Sequence, residues 1–236
     1  MGSIAIITAR GGSKRIPKKN IKNFCGKPII AYSIEAAVNS NMFDEVMVST
    51  DSEEIAAVAK RYGAKVPFFR SIETSTDFAT TEDALIEVLQ RYKENSKEYD
   101  IVCCIYPTAP FITPEKIKHT FNILKNDSEK DSVIPVVKFS FPPQRALIEV
   151  KGKLQYQYPE YENARSQDLM PIYHDAGQFY LCKTDSLIKY HNLITPHSAA
   201  YFLPEEEVQD IDNMSDWRLA EQKFQNMRGA SNVPSI

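Results

Sequence analysis

Short apolar runs alternate with amphipathic stretches along much of the chain. The runs lack the polar alternation of a half-exposed strand, which is typical of strands that are buried on both faces. The runs are residues 4–8, 46–49, 101–105 and 132–137. The stretches between them have helical periodicity and predict helices at 29–38, 52–62, 80–93 and 114–125. This alternation predicts a doubly wound, mostly parallel α/β sheet with right-handed crossovers.

Several residues near the predicted helix ends carry start or stop signals. Pro28 suits the first position of the first helix. Asp51 can cap the second helix, with Glu54 placed to complete a capping box. Gly63 is expected to end that helix, and Thr80 can cap the third. These signals predict where the loops between the elements begin.

The alternation of strands and helices breaks after residue 137. Residues 139–171 are rich in Pro, Tyr and charge, and they predict a small β-rich insertion. Exposed aromatic and proline residues of this kind often mark interfaces, so we expect the insertion to pair two chains in a homodimer. The elements that follow are predicted as strands at 178–182 and 201–203 and helices that start at 185 and 213. We expect one domain over 1–227 and a disordered tail over 228–236.

Composition places the chain among soluble globular proteins. Its 236 residues are 43% hydrophobic and 25% charged, and the formal net charge is −3. General nucleic-acid binders are usually basic, so we expect no nucleic-acid partner. No apolar run approaches the roughly 20 residues that cross a bilayer, and the opening run is too short for the core of a signal peptide. We therefore expect no membrane partner and a cytoplasmic location.

The cysteines give no sign of a metal site or of disulfides. They are Cys25, Cys103, Cys104 and Cys182, and their spacing matches no metal-binding pattern. Reduced thiols are the usual state of cysteines in the cytosol. Cys103 and Cys104 are neighbours in a predicted strand, so we expect them to point to opposite faces of the sheet.

Positive charge is concentrated directly after the first predicted strand. Seven basic residues and no acidic residue lie within residues 9–33. Ligands of open α/β sheets bind beyond the carboxyl ends of the strands, which is where this loop lies. Gly11 and Gly12 let the backbone approach a ligand closely. Arginine and lysine can surround several phosphate oxygens. The candidate cations are Arg10, Lys14 and Lys19.

A basic loop can also be no more than a solvated surface. Its spacing of Gly and Lys matches neither a Walker loop nor the GxGxxG pattern. The position after the first strand, the paired glycines and the lack of acid favour phosphate binding over that alternative. We call residues 10–20 the basic loop.

A second candidate site lies in VQDIDNMSDW, residues 208–217. Asp210 and Asp212, the acidic pair, are separated by one residue, so their carboxylates face the same side of an extended backbone. Two hard oxygen ligands on one side suit Mg²⁺, which shares its remaining coordination with water and substrate phosphates. The alternative is that both acids only interact with the N-terminus of the last helix, which Asn213 can cap.

Several stretches together resemble the cytidylyltransferases that activate eight- and nine-carbon ulosonic acids. They are ARGGSKRIPKKNIK, FCGKPIIAYSI, VSTDSEEIA and DID. IYPTAPF and ARSQDLMPIYHDAGQFY resemble the pseudaminic acid branch of that family. The resemblance covers about residues 4–217 and implies a nucleotide-diphospho-sugar transferase-like fold. It also implies transfer of CMP from CTP to the anomeric hydroxyl of a nonulosonic acid, with Mg²⁺ as cofactor and Mn²⁺ able to replace it.

The resemblance implies roles for individual residues. The residues implied at the triphosphate and cytosine are Arg10, Gly11, Gly12, Ser13, Lys14, Lys19 and Asn20. Arg70 and Thr81 are also implied at the nucleotide, and Arg165 and Gln167 at the sugar. The implied magnesium ligands are Asp210 and Asp212. The residues expected to act in catalysis are Arg10, Lys19 and Asp210.

Two positions depart from the pattern of the sialic acid enzymes. This chain has Tyr106 where they commonly have Gln, and Ala176 before Gly177 where they have Asn. Both positions line the sugar pocket in the family, so pseudaminic acid is expected, with legionaminic or sialic acid as the alternative. His174 and Asp175 lie beside them and are candidates for the sugar pocket. His174 can either contact the sugar or make a structural hydrogen bond.

Two other functions remain open from the sequence. A catalytically inactive relative would keep the fold and bind nucleotide, although it would have no reason to keep both Asp210 and Asp212. A transferase that uses another nucleoside triphosphate would share the chemistry. The implied transfer of CMP needs no His or Cys nucleophile, because such in-line transfers depend on positioning and charge neutralisation.

Overall fold

A computed structural model describes residues 2–230 of the protein. Within that range the strands are β1 (Ser3–Thr8), β2 (Asn23–Phe24), β3 (Lys27–Pro28), β4 (Glu45–Ser49), β5 (Ile101–Ile105), β6 (Ser132–Lys138), β7 (Leu147–Val150), β8 (Lys153–Tyr156), β9 (Tyr173–Asp175), β10 (Phe179–Lys183) and β11 (Ser198–Phe202). The α-helices are α1 (Ile29–Ser40), α2 (Glu53–Arg61), α3 (Ile72–Ser75), α4 (Thr81–Glu94), α5 (Pro114–Asn126), α6 (Thr184–Tyr190) and α7 (Met214–Ala230).

One central sheet organises the described part of the chain. Its strand order is β11-β6-β10-β5-β1-β4, and β9 pairs with β6. β1 runs parallel to both β4 and β5, and β11 runs parallel to β6. β10 is antiparallel to β5 and β6, so it separates two parallel blocks. The prediction of a doubly wound, mostly parallel sheet is confirmed.

Helices cover both faces of the sheet, because the central strands are apolar on both sides. Ala5 and Ile7 of β1 belong to the core beneath α1, α2 and α5. Ile4 and Ile6 belong to the core beneath α4 and α6. All four are 0% exposed, and full burial of an isoleucine side chain stabilises the fold by roughly 1.5–3 kcal/mol.

The cysteines lie where the sequence predicts. Cys103 is in the first of these cores and Cys104 is in the second, so the two thiols point to opposite faces. All four cysteines are free. Burial raises the pKa of Cys103 and of Cys104, which keeps both thiols protonated and unreactive.

Helix α7 packs beside the basic loop. Phe24 contacts the α7 side chains Trp217 and Phe224 edge to face, at ring-centroid distances of 5.4 and 5.5 Å. Ile16 of the loop and Ile211, just before α7, are each 1% exposed in the same apolar cluster. Each aromatic pair in this geometry adds roughly 0.5–1.5 kcal/mol beyond its burial. This packing holds the segment around Ile211 against the basic loop.

The insertion, residues 139–171, carries the small hairpin β7–β8 together with short 3-10 turns. All four residues of β7 are partly or largely exposed to solvent. Large apolar side chains project from the insertion: Phe141 is 88% exposed, Met170 is 78% exposed and Leu154 is 72% exposed. The insertion therefore presents an apolar surface that the described part of the chain does not cover.

Two helix-start predictions are wrong. Pro28 lies at the N-cap of α1 rather than at its first position. Ser52, not Asp51, caps α2, and its Oγ accepts a backbone N–H at 3.5 Å. Glu54 forms an ion pair with Lys18 instead of completing a capping box. The sequence places all three residues correctly near a helix start, but the side chains of Asp51 and Glu54 bind partners that are distant in sequence.

Other boundaries agree with the sequence. Thr80 caps α4 in a capping box with Asp83. Gly63 follows α2 with a φ of 99°, a conformation that favours glycine. Helix α7 continues to Ala230, so residues 228–230 are helical and not part of a tail. The rest of the predicted tail, 231–236, lies outside the described residues.

Candidate active site

A cleft of about 440 Å³ opens at the carboxyl end of β1. Its walls are the basic loop, residues 106–108 after β5, and the segment before α7. The predicted site residues that line it are Arg10, Gly12, Ser13, Lys14, Lys19, Asn20, Tyr106 and Asp212. The cleft therefore brings together the two distant stretches that the sequence singles out.

A smaller cavity of about 260 Å³ adjoins the cleft. Both cavities are lined by Thr8, Arg10, Asp77 and Tyr106. Arg70 and Thr81 line the smaller cavity. Ser49 fixes the direction of the Arg70 side chain, because Nε donates to Ser49 Oγ at 3.0 Å and NH2 donates to the Ser49 carbonyl at 2.9 Å. The predicted nucleotide-binding residues thus occupy two adjoining spaces.

One hydrogen bond within the basic loop and one packing contact with α2 shape the loop. Asn20 Nδ2 donates to the carbonyl oxygen of Arg10 at 2.9 Å, which ties the end of the loop to its start. Gly11 packs against the start of α2, where an added Cβ would lie 3.2 Å from the Ser52 Cβ. Gly12 has open space around it and lines the cleft. Gly11 therefore serves packing within the protein, and Gly12 is the glycine that faces the cleft.

Two of the predicted phosphate-binding cations meet a single carboxylate. Arg10 NH1 lies 2.7 Å from Asp77 Oδ1, and Lys14 Nζ contacts Asp77 Oδ2. Arg10 NH1 also donates to the Thr76 carbonyl at 3.2 Å. Hydrogen bonds from Lys14 and Arg10 hold the pKa of the Asp77 carboxyl below its ordinary value. Sequence reasoning missed Asp77, because nothing near it in sequence points to the basic loop.

Lys19 joins the basic loop to the acidic pair. Its Nζ donates to the carbonyl oxygen of Ile211 at 2.8 Å, across 192 residues of sequence. Burial lowers the pKa of the Lys19 ammonium, and the carboxylates of Asp212 and Asp210 oppose that shift. Arg15, which the sequence did not single out, adds a second link, since its NH1 lies 2.7 Å from Asp212 Oδ2.

The acidic pair is not needed to cap α7. Ile211 between the two acids is 1% exposed, so the flanking side chains of Asp210 and Asp212 point away from the core. Asp216 Oδ2 accepts the N–H groups of Asp212 and Asn213 at 2.9 and 3.0 Å. Asn213 Oδ1 accepts two further N–H groups at the start of the helix. Other side chains therefore satisfy the helix start.

The donor chemistry of the acidic pair fits a hard divalent cation. Within residues 2–230, no group of three or more His, Cys, Asp or Glu side chains is arranged to hold a metal ion. Magnesium is typically held by one or two carboxylates, with water and substrate phosphates completing its coordination. Asp210 and Asp212 can supply those carboxylates, and the adjoining cationic cleft can hold the phosphates.

Three long side chains hold the segment that leads to the acidic pair. Lys116 Nζ lies 2.6 Å from Glu207 Oε2. Gln178 Nε2 donates to the Glu207 carbonyl at 2.6 Å. Lys223 Nζ donates to the Val208 carbonyl at 2.7 Å. Lys116 is only 8% exposed, so buried contacts tie this segment to α5, to the residue just before β10, and to α7.

Tyr106 lines both cavities, and Tyr180, which is 3% exposed, packs behind it; we call these two residues the aromatic wall. The rings of Tyr106 and Tyr180 meet edge to face with centroids 5.5 Å apart. The Tyr106 hydroxyl lies 3.5 Å from Thr81 Oγ1, and the Tyr180 hydroxyl donates to Asp175 Oδ2 at 2.6 Å. Burial raises the pKa of Tyr106, so its hydroxyl stays protonated and can donate a hydrogen bond. Asp175, a predicted sugar-side residue, thus contacts the wall through Tyr180 but is not among the described residues that line either cavity.

Three predicted sugar-side residues lie away from the cleft of this chain. His174 Nδ1 is 2.8 Å from the Asp175 carbonyl, and its ring lies 4.9 Å from that of Phe139. Arg165 and Gln167 are exposed on the insertion, beside and within a 3-10 turn. None of the three is among the described residues that line the cleft. One copy of the chain does not bring them to the residues that are predicted to bind phosphate.

The model of one family, described as cytidylyltransferase, matches residues 4–209 of the chain. The chain belongs to the cytidylyltransferase family. This cytidylyltransferase is 41% identical over 222 residues to the pseudaminic acid cytidylyltransferase of Campylobacter jejuni. The aligned region covers 93% of this chain and 95% of the relative. The chain is 35% identical over 228 residues to the CMP-N,N'-diacetyllegionaminic acid synthase of Legionella pneumophila, over 94% of this chain and 95% of the relative.

A solved structure supports the fold of this cytidylyltransferase. The CMP:2-keto-3-deoxy-manno-octonic acid synthetase in complex with CTP matches with a TM-score of 0.70 and 18% identity, over 96% of this chain and 100% of that chain. At this identity the likeness shows the fold, which is the nucleotide-diphospho-sugar transferase-like fold that the sequence predicts. No helix within residues 2–230 combines the length and the apolar character that crossing a membrane requires.

Proposed function

We propose that this cytidylyltransferase transfers CMP from CTP to the anomeric hydroxyl of a nonulosonic acid, and that pseudaminic acid is its substrate. The observation that carries the proposal is that the loop cations lie beside the acidic pair. Lys19 Nζ donates to the carbonyl oxygen of Ile211, between the two aspartates, at 2.8 Å. The relatives that are named for pseudaminic and legionaminic acids support the class of acceptor.

The reaction needs charge neutralisation more than covalent chemistry. The anomeric hydroxyl attacks the α-phosphorus, the bond from that phosphorus to the bridging oxygen breaks, and pyrophosphate leaves. Arg10, Lys14 and Lys19 line the cleft as cations where the β- and γ-phosphates would lie. Their charge offsets the charge of the departing pyrophosphate, and their fixed positions avoid reorganisation during the step.

Asp210 and Asp212 are the residues that would hold Mg²⁺. When bound, the ion would polarise the α-phosphate and lower the pKa of the attacking hydroxyl. The chain's own contribution is to turn both carboxylates away from the core, because Ile211 between them is buried. Asp212 lines the cleft, whereas Asp210 is not among the described residues that line it. Mn²⁺ also prefers carboxylate and water ligands, so it can replace Mg²⁺.

The smaller cavity suits the nucleoside end of CTP. It lies beyond Arg10 and is lined by Arg70 and Thr81. Cytosine presents acceptors at O2 and N3, which guanidinium and hydroxyl donors match. Because two hydrogen bonds to Ser49 hold the Arg70 guanidinium, its remaining donors keep a fixed direction.

The aromatic wall supports an acceptor with a 9-deoxy carbon chain. The ring of Tyr106, which lines both cavities and packs against the buried ring of Tyr180, offers an apolar surface to the methyl group that ends pseudaminic acid. A sialic acid would place a hydroxyl there, and an apolar pocket discriminates against an added hydroxyl by only about 10². Legionaminic acid carries the same methyl group, so pseudaminic acid is favoured over it by the closer similarity to the Campylobacter relative.

A homodimer would complete the sugar side of the site. Arg165 and Gln167 lie on the insertion, whose apolar side chains are exposed in the single chain. Pairing of two insertions would bury that surface. In this proposal Arg165 acts near the site of the partner subunit, which explains its distance from the cleft of its own chain.

The proposal is tested by measuring CMP-sugar formation with CTP, Mg²⁺ and each of three acids: pseudaminic, legionaminic and sialic. We expect the largest kcat/KM with pseudaminic acid. Equal kcat/KM on pseudaminic and sialic acids would overturn the assignment of the acceptor. A thermal-shift series with CTP, UTP, ATP and GTP tests the nucleotide, since a ligand at 100 times its Kd adds about 2.7 kcal/mol to the free energy of unfolding.

A further inference from the structure

Asp77 is a charged residue of the cleft that the proposed reaction does not use. Its carboxylate lies in the wall shared by the two cavities. Its oxygens are bound separately, Oδ1 by Arg10 NH1 and Oδ2 by Lys14 Nζ. A phosphate group would be bound by the same two cations through separate oxygens. Asp77 therefore makes the contacts that the triphosphate requires.

The segment that carries Asp77 is anchored at both ends. At its start, Glu87 of α4 holds α3 by accepting hydrogen bonds from Ser71 N at 2.9 Å and from the Thr74 hydroxyl. At its end, Thr80 caps α4. Residues 76–79 therefore form a short strap between two fixed points.

The strap itself is held mainly by the cations. Phe78 is 96% exposed, so no core packing holds this part of the chain down. Among the described residues, the hydrogen bonds that the strap makes outside itself and α3 end on Arg10 and Lys14. Release of Asp77 from these two side chains would expose no buried apolar surface. The strap can therefore leave the cleft when a stronger anion takes its place.

We propose that Asp77 is an internal competitor of the nucleotide for Arg10 and Lys14. On binding, the phosphates displace the Asp77 carboxylate and the strap swings away from the cleft. Displacement is favoured because a phosphate beside a carboxylate would be two like charges at close range. After the reaction, Asp77 competes with the partly released pyrophosphate for the two cations, which speeds its departure. This inference rests on the proposed function, because it requires Arg10 and Lys14 to bind phosphate.

The test compares wild-type protein with Asp77→Asn, which keeps the size of the side chain and removes its charge. Glu73→Gln is the matched control, since Glu73 is an exposed acid on the preceding helix α3. The probes are inorganic pyrophosphate and uncharged cytidine, and the measurement is the Kd by calorimetry at low salt. We expect Asp77→Asn to bind pyrophosphate about five- to tenfold more tightly, on the scale of two exposed ion pairs. Cytidine binding and the Glu73→Gln variant should not change.

Three results would overturn the inference. Equal or weaker pyrophosphate binding by Asp77→Asn would mean that the carboxylate orients the cations instead of competing for them. An equal gain for cytidine, or an equal gain in Glu73→Gln, would show that the effect does not come from contested phosphate contacts. The proposed function fails separately, if wild-type protein forms no CMP-sugar from CTP, because the pyrophosphate comparison does not involve cytosine or an acceptor.

Amide hydrogen exchange gives a second measurement on the wild-type chain. Pyrophosphate should speed exchange across residues 76–79, because the strap leaves the cleft. In Asp77→Asn exchange there should already be fast before pyrophosphate is added. Exchange in the wild-type chain that slows or stays constant on addition of pyrophosphate would contradict displacement of the strap.

Discussion

Lys116 and Glu207 form an ion pair with Nζ and Oε2 2.6 Å apart, at the base of the segment that leads to the acidic pair. Lys116 is 8% exposed. Burial lowers the pKa of Lys116, and the hydrogen bond and charge of Glu207 oppose that shift. A buried charge of this kind is tolerated because of its partner, so loss of one member leaves the other uncompensated. The ion pair between Lys116 and Glu207 therefore ties the segment that leads to the acidic pair to α5.

Replacement of Lys116 by Met should weaken both stability and activity. We expect Lys116→Met to lower the free energy of unfolding by about 1–3 kcal/mol, because Glu207 loses its partner. Turnover should fall as well, because the acidic pair loses an anchor. Addition of Glu207→Gln to the same chain should recover part of the stability, a coupling that a double-mutant cycle measures.

The matched control for this pair is Lys118→Met, an exposed lysine of the same helix. Its effect on the free energy of unfolding should stay within about 0.5 kcal/mol. Urea unfolding and CTP-dependent pyrophosphate release are the two measurements. Indistinguishable behaviour of Lys116→Met and Lys118→Met would contradict an anchoring role for the ion pair.

Replacement of Lys19 should reduce activity far more than replacement of the adjacent Lys18. Lys19 lines the cleft and contacts Ile211, whereas Lys18 is 68% exposed and pairs with Glu54. We expect Lys19→Met to reduce kcat/KM for CTP by about 10²–10³, the scale of losing one preorganised electrostatic group. Lys18→Met should change it little. Comparable losses in the two variants would show that the loop acts only through its total charge.

Glu87 should contribute a pH-dependent part of the stability. Burial acts to raise the pKa of Glu87, but hydrogen bonds from Thr74 and Ser71 outweigh it and lower the pKa below its ordinary value of 4.5. A carboxyl whose folded-state pKa is lowered stabilises the fold above the unfolded-state pKa, and the contribution disappears as the pH falls through the folded-state pKa.

Glu87→Gln should therefore lower the free energy of unfolding by about 1–3 kcal/mol at pH 7. The difference from wild type should shrink as the pH falls below 4.5. Glu94→Gln, at the exposed end of the same helix, is the control and should show no such dependence. Urea unfolding at several pH values measures the difference, and a loss that is constant with pH would contradict the role of the Glu87 charge.

The central strands could be predicted because their signal is local. The run 101–105 predicts β5 with both ends correct, since five consecutive apolar residues fit a strand between two neighbours. β9 has no such run, and its three residues, Tyr173–Asp175, are exposed. The direction of β10 is also hidden from the sequence. The apolar residues of β10 are compatible with either a parallel or an antiparallel strand.

The residues of the candidate site also fall into those that the sequence reveals and those that it does not. The basic loop and the acidic pair are concentrations of one charge, so they are visible in the sequence. Asp77, Arg15 and Lys116 act through partners that lie far along the chain, and no spacing rule connects them. Asp51 illustrates how a distant partner can make a local prediction wrong. Its position favours a helix cap, but its carboxylate accepts the N–H of Gly11, 40 residues away, at 2.7 Å.

The exposed face of the insertion predicts a dimer in solution. Stable interfaces bury roughly 1,200–2,000 Å² in total, which needs apolar side chains such as Phe141 and Leu154 to be covered. We expect light scattering at micromolar concentration to give the mass of two chains. The double variant Phe141→Glu and Leu154→Glu should give the mass of one chain and lose activity.

Ile72→Glu is the control for the interface, because Ile72 is 84% exposed but lies on α3, away from the insertion. It should remain a dimer. A monomeric wild-type chain with full activity would contradict both the dimer and a role for Arg165 at the site of a partner subunit.

The central claim is that the basic loop and the acidic pair form one metal-assisted site for transfer from CTP. Pyrophosphate release by Asp210→Asn and Asp212→Asn tests this claim most directly, with Glu206→Gln as an exposed acid of the same segment for control. If the pair only stabilised the start of α7, Asn would serve as well as Asp. If the pair binds the metal ion, each substitution removes an anionic ligand of that ion, and Asn does not replace its charge.

We therefore predict that turnover falls by at least about 10² in both aspartate variants and stays near wild type in Glu206→Gln. A chelator should abolish the activity of the wild-type chain, and added Mg²⁺ or Mn²⁺ should restore it. Near-normal pyrophosphate release by both Asp210→Asn and Asp212→Asn would contradict the metal assignment and the single site built on it.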